Sequence, residues 1–153
     1  MNLSSSTLHS YILVSLSQNK LTRLRVTGSS MQPLILNGDW VDVEPYFGDT
    51  EPQIGEIVLI NRGTDFVLHR ILRITGQEII TKGDWSRTPD PPVSVNQVIG
   101  YVVQVEKRWI KIKMNFPVIR IVTQVILYLS VITSSNHIKH RSVNESNRYP
   151  LSK

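Results

Sequence analysis

Ser30, His69 and the carboxylates Asp84 and Asp90 are the residues of this chain whose types could carry out group transfer. A serine hydroxyl is a weak nucleophile until a base takes its proton. An imidazole can do so near neutral pH, and a carboxylate can hold that imidazole in the accepting tautomer. The residues occur in the order Ser, His, Asp, which decides nothing alone, because such triads occur in several chain orders. Each also has a purely structural use. Gly28 and Pro33 bracket Ser30 in Val26-Thr27-Gly28-Ser29-Ser30-Met31-Gln32-Pro33, a stretch that joins two apolar runs and reads as a sharp turn. His69 falls near the middle of a strand, and Asp84 and Asp90 share a loop, where Asp commonly caps its own turn.

The elements that must hold these residues are mostly strands. The chain has 153 residues, the size of one domain, and 41% of them are hydrophobic, enough for a packed core. It has no alanine and is rich in Val, Ile and Thr, which favour strands over helices. Strands are predicted over 21–27, 34–45, 55–60, 66–74, 78–82 and 97–106, with Gly100 marking a bulge. Gly83 to Pro92 is a polar loop. Strands this short and closely spaced predict a mainly β chain with a compact antiparallel domain.

Both ends differ from this core. Residues 1–20 hold one apolar run, Tyr11 to Leu16, too short to span a bilayer. With no basic flank before it and no small-residue cleavage site after it, the run predicts a short amphipathic helix packed on the domain rather than a signal peptide. Phe116 to Thr133 is mostly apolar but carries Arg120, Thr123 and Gln124 on one helical face. That pattern predicts an apolar helix over 114–133 lying on a membrane or on the domain, with a membrane span as the alternative. Residues 134–153 form a polar, basic tail, expected to be disordered, whose His137 and His140 read as solvated rather than metal-binding. The net charge of +5 sits mainly after residue 106 and fits a basic tail. No nucleic-acid partner is expected. The absence of cysteine excludes disulfides, thiolate catalysis and Cys-based zinc sites, and no metal or other cofactor is expected.

Five boxes, in order, resemble type I signal peptidases. Ser30-Met31-Gln32-Pro33 with Asn37-Gly38-Asp39 is similar to their serine box, and Gly55-Glu56-Ile57-Val58 to their "G-D-I-V" strand. His69-Arg70-Ile71 resembles the "H-R-V" element of the archaeal and endoplasmic-reticulum branch, in which histidine replaces the bacterial lysine base. Thr81-Lys82-Gly83-Asp84 is similar to that branch's "T-K-G-D" box, with Asp90 where the branch carries a further acid. Val98 to Val102 resembles the strand that follows. The resemblance covers residues 26 to about 105 and implies a peptidase domain over 1–113 with its core at 22–106.

The resemblance implies that Ser30 is the nucleophile and that His69 is the general base and then the acid. Asp90 would orient His69, with Asp84 as the alternative. The Ser30 N–H would help form an oxyanion hole, with Gly28 and Ser29 in the same turn, and Met31 and Pro33 would shape the turn and the substrate groove. The implied partner is a precursor polypeptide bound as an added strand, losing a signal or leader peptide. A membrane surface, contacted through 114–133, is the expected setting, with cytosolic maturation of a dedicated precursor as the alternative. The chain departs from the family pattern at Gly28, where serine is usual, and at Trp85-Ser86-Arg87, where Asn-Asn is usual. These departures are what a non-catalytic binding module of the same fold would show. Gly28-Ser29-Ser30-Met31 with Gly38-Asp39 also resembles the LexA-type self-cleaving repressors, which share the fold and use a lysine base. With only 29 residues before Ser30 and no Ala-Gly or Cys-Gly bond, a repressor role is not expected.

Overall fold

The run Ile57-Val58-Leu59-Ile60 is buried along its whole length, because β3 (Ile57–Asn61) lies inside the sheet with apolar side chains on both faces. The computed structural model describes residues 5–46, 50–114 and 125. On one side β3 pairs with β4 (Phe66–Thr75), and on the other with the first half of β7 (Val98–Lys107). Beyond β4 come β5 (Glu78–Lys82) and the two-residue β6 (Val93–Ser94). The other edge of β7 carries β2 (Trp40–Glu44) and then β1 (Thr22–Arg25). The second half of β7 turns into β8 (Ile110–Lys113). Every pairing is antiparallel, and the fold is mainly β, as the composition predicts.

Two apolar clusters fill the two faces of the sheet. Ile57 and Leu59 join Val41, Val43, Val102 and Val105 under α1 (Ser5–Ser17), which contributes Ile12 and Leu16. Val58 and Ile60 join Ile71, Ile79 and Val98 on the other face. The predicted bulge appears where Leu59 faces Gly100 and Ile60 faces Val98, so that Ile99 is skipped. Glycine is required there by space: a Cβ on Gly100 would lie 2.6 Å from the Glu44 carbonyl oxygen.

The second predicted strand begins six residues late. Leu34-Ile35-Leu36 is not strand but part of an excursion, residues 27–38, set into the β1–β2 connection. Val26 and Asp39 close its neck, with Val26 N–H donating to Asp39 O and Gly38 N–H donating to Val26 O. Within it the chain coils, Ile35 N–H donating to Met31 O at 2.9 Å, and Met31 and Ile35 plug the core. An apolar triplet reads alike as strand or plug, because three residues do not establish a period. The helix predicted over 114–133 and the tail 134–153 lie outside the described residues, apart from Met114 and Val125. No helix among the described residues is long and apolar enough to cross a membrane.

Candidate active site

The excursion brings Ser30 to the middle of β4. Gly28, at φ +96°, makes the turn that a β-carbon would strain, and its N–H donates to Asn37 Oδ1. Ser30 Oγ then lies 3.1 Å from His69 Nε2. On the other side of the ring, Nδ1 meets Asp90 Oδ2. A carboxylate can only accept, so Nδ1 carries the proton, Nε2 is the accepting nitrogen, and the serine hydroxyl donates to it.

Asp90 is held by more than His69. Thr81 Oγ1 donates to Oδ2 at 2.8 Å, Asp90 N–H donates to Thr81 O, and Arg62 Nη2 stands 3.5 Å from Oδ1. Burial alone would push the Asp90 carboxyl up. The hydrogen bonds from His69 and Thr81 and the charges of His69 and Arg62 outweigh burial and hold it below the ordinary carboxylate value. Arg62, on the β3–β4 turn, reads from sequence only as a turn residue, and the only hint of its role was a cation within ten residues of a candidate base.

Asp84, the alternative partner for His69, is engaged elsewhere. Arg70 Nε and Nη2 donate to its two oxygens at 2.8 and 2.7 Å, and Arg70 Nη1 donates to Gly55 O. Successive strand residues face opposite ways, so Arg70 lies across the sheet from His69. Lys82 is paired in register with Arg70 and so shares its face, not that of His69. Burial pushes its pKa down, and the charge of Asp84 partly offsets this.

The loop that follows β5 clamps the serine. Trp85 N–H donates to Ser30 O at 2.8 Å, and Ser86 N–H donates to Gly83 O to form the turn between. The Ser30 N–H itself has no hydrogen-bond partner among the described residues. Of the other turn residues, Ser29 and Pro33 are exposed, and the Pro33 carbonyl accepts from Lys107 Nζ. The Met31 side chain is 2% exposed and packs in the core, so it shapes the turn from beneath. β5 pairs with β4 only from Arg70 onward, which leaves the edge of Phe66–His69 opposite β3 without a strand among the described residues.

The family model described as Peptidase S24-like matches residues 3–103, a span that includes α1, the serine excursion and every residue of this site. The chain belongs to the Peptidase S24-like family. Membership makes it a serine-type peptidase, a hydrolase of the superfamily that contains the LexA-type and signal peptidases, and its mainly β fold agrees. No curated protein matches this Peptidase S24-like chain.

Proposed function

We propose that this peptidase removes a signal or leader peptide from a precursor polypeptide, with Ser30, His69 and Asp90 as its catalytic residues. The observation that carries the reading is the unbroken hydrogen-bonded series from Ser30 Oγ through the imidazole to Asp90. Ser30 Oγ attacks the scissile carbonyl carbon while its proton passes to His69 Nε2. The imidazolium, steadied by Asp90, then protonates the departing amine as the C–N bond breaks. Water, losing a proton to the same nitrogen, attacks the acyl-serine; the C–O bond to Ser30 Oγ then breaks, the imidazolium returns its proton to that oxygen, and the new carboxyl product leaves. The unpartnered Ser30 N–H is a donor for the negative charge that develops on the carbonyl oxygen.

The open Phe66–His69 edge supports binding of the precursor as an added strand, which would run its scissile bond towards Ser30. Histidine on Ser30, with Lys82 on the opposite face, supports the archaeal and endoplasmic-reticulum branch over the lysine-based ones. The setting we propose is a membrane surface, supported by the apolar sequence from Phe116 to Thr133. The family match equally supports a LexA-like activity on a single dedicated precursor, in the cytosol. Co-expression with a panel of signal-peptide and short-leader precursors, followed by amino-terminal sequencing of the products, separates the two. Cleavage of precursors after an apolar signal supports the first reading. Cleavage of one cytosolic precursor alone replaces it with the second.

A further inference from the structure

We propose that the tip of the β7–β8 hairpin is a docking surface for an anionic lipid bilayer, which holds the serine loop at the membrane. The inference deepens the membrane setting proposed above and rests on none of the catalytic roles, so the two can fail separately.

The hairpin turns tightly, Lys107 facing Ile110 with Arg108 at φ 43° between them. Such a turn projects its central side chains away from the sheet. Trp109 is 89% exposed and Ile110 64%, two large, mostly exposed apolar side chains adjacent at a tip. A single exposed apolar residue is ordinary, but an indole and an isoleucine together on a projection present a wedge. The cations around it are of one sign. Lys107, Arg108, Lys111 and Lys113 fall within seven residues that contain no acid. The nearest acid, Glu106, is held by Arg23 Nη2 at 2.6 Å, with Lys111 farther away at 3.5 Å and its side chain 61% exposed.

An apolar tip ringed by Lys and Arg matches the interface of a bilayer with anionic headgroups. There the indole and aliphatic groups enter the acyl boundary, and the cations stay among phosphates. Nucleic acid would also attract the cations, but it offers no use for Ile110, and a two-residue turn makes no groove to follow a strand of phosphates. In the sequence the hairpin is followed, after Met114, by the apolar run 116–133. The turn itself is tied to the site through its flanking residue: Lys107 Nζ donates to Pro33 O at 3.2 Å and lies 3.7 Å from Asp39. A docked tip therefore holds the Ser30 loop at the lipid surface.

The test is co-sedimentation of the full chain with vesicles of phosphatidylcholine, with and without phosphatidylglycerol. Wild type and Ser30→Ala are expected to bind the anionic vesicles alike. W109S/I110S, which changes only exposed side chains, is expected to lose about tenfold in partitioning. K111Q/K113Q is expected to lose about fivefold per cation on anionic vesicles and little on neutral ones. Circular dichroism confirms that each variant is folded. Failure of wild type to bind anionic vesicles overturns the proposal. So does equal binding by wild type and W109S/I110S, which would place lipid contact elsewhere in the chain. Retention of a DNA or RNA duplex, lost in the same variants and unmatched by vesicle binding, overturns it in favour of nucleic acid.

Discussion

Arg70 grips Asp84 through Nε at 2.8 Å and Nη2 at 2.7 Å, with side chains only 1% and 2% exposed. This pair lies on the face of β4 opposite His69, yet it bears on the site. It anchors the start of the Gly83–Ser86 turn, whose Trp85 N–H holds the Ser30 carbonyl. Asp84 is thus a positioning residue in this account, one step removed from the reacting atoms.

Asp84→Ala leaves the Arg70 cation buried without its carboxylate. It is expected to cost about 3–5 kcal/mol of stability, measured by urea denaturation. Replacing both members by apolar side chains of similar volume should recover much of that loss, because the desolvation cost of both charges disappears together. A single Asp84→Ala variant as stable as wild type would contradict a sealed ion pair.

Gly83→Ala tests the clamp on the serine. A β-carbon there would sit 2.7 Å from Ser30 O and 2.8 Å from Ser30 Cβ, closer than such contacts allow, so Ser30 must shift. A displacement near 1 Å at a reacting group costs about a hundredfold in rate. The expected result is a drop of that order in kcat with a smaller change in KM and a folded protein. Unchanged kcat would show that the turn does not position Ser30.

The pH dependence follows from Asp90. Its carboxyl is held below the ordinary value of 3.8, because the bonds from His69 and Thr81 and the charge of Arg62 outweigh the opposing effect of burial. Its stabilising contribution is therefore complete above that ordinary value and is lost as pH falls through the lower folded-state value. The urea midpoint of wild type should fall more between pH 5 and 3 than that of Asp90→Asn. Arg62→Gln removes one of the charges that hold the Asp90 carboxyl down, so this acid loss of stability should shrink, with Arg62→Lys restoring most of it. An acid loss in Arg62→Gln equal to that of wild type would separate Arg62 from the site.

Much of this was legible in the sequence, and the rest depends on side chains meeting across the fold. A strand such as Trp40–Glu44 shows its period along the chain, and the ordered boxes around Ser30, His69 and Asp84 point to the peptidase fold. The division of labour between Asp84 and Asp90 is not a property of spacing. It is set by strand alternation, which turns Arg70 towards Asp84 and His69 towards Asp90. Leu34-Ile35-Leu36 reads as strand because a short apolar run has no measurable period, and the role of Ile35 as a core plug appears only when the excursion closes at Val26 and Asp39. Arg62 was hidden for a like reason, since nothing in a turn residue announces the carboxylate its guanidinium will reach.

The central claim is that the Ser30 oxygen does the chemistry, and the most direct test is the single-turnover rate of precursor cleavage by wild type and Ser30→Ala under identical conditions. The substitution removes one oxygen at a half-buried position and should leave the fold intact, while losing the nucleophile lowers the rate by about three orders of magnitude or more. That loss in a folded variant is the predicted result. Cleavage by Ser30→Ala at the wild-type rate would contradict the account, and Ser30 would then be a turn residue only.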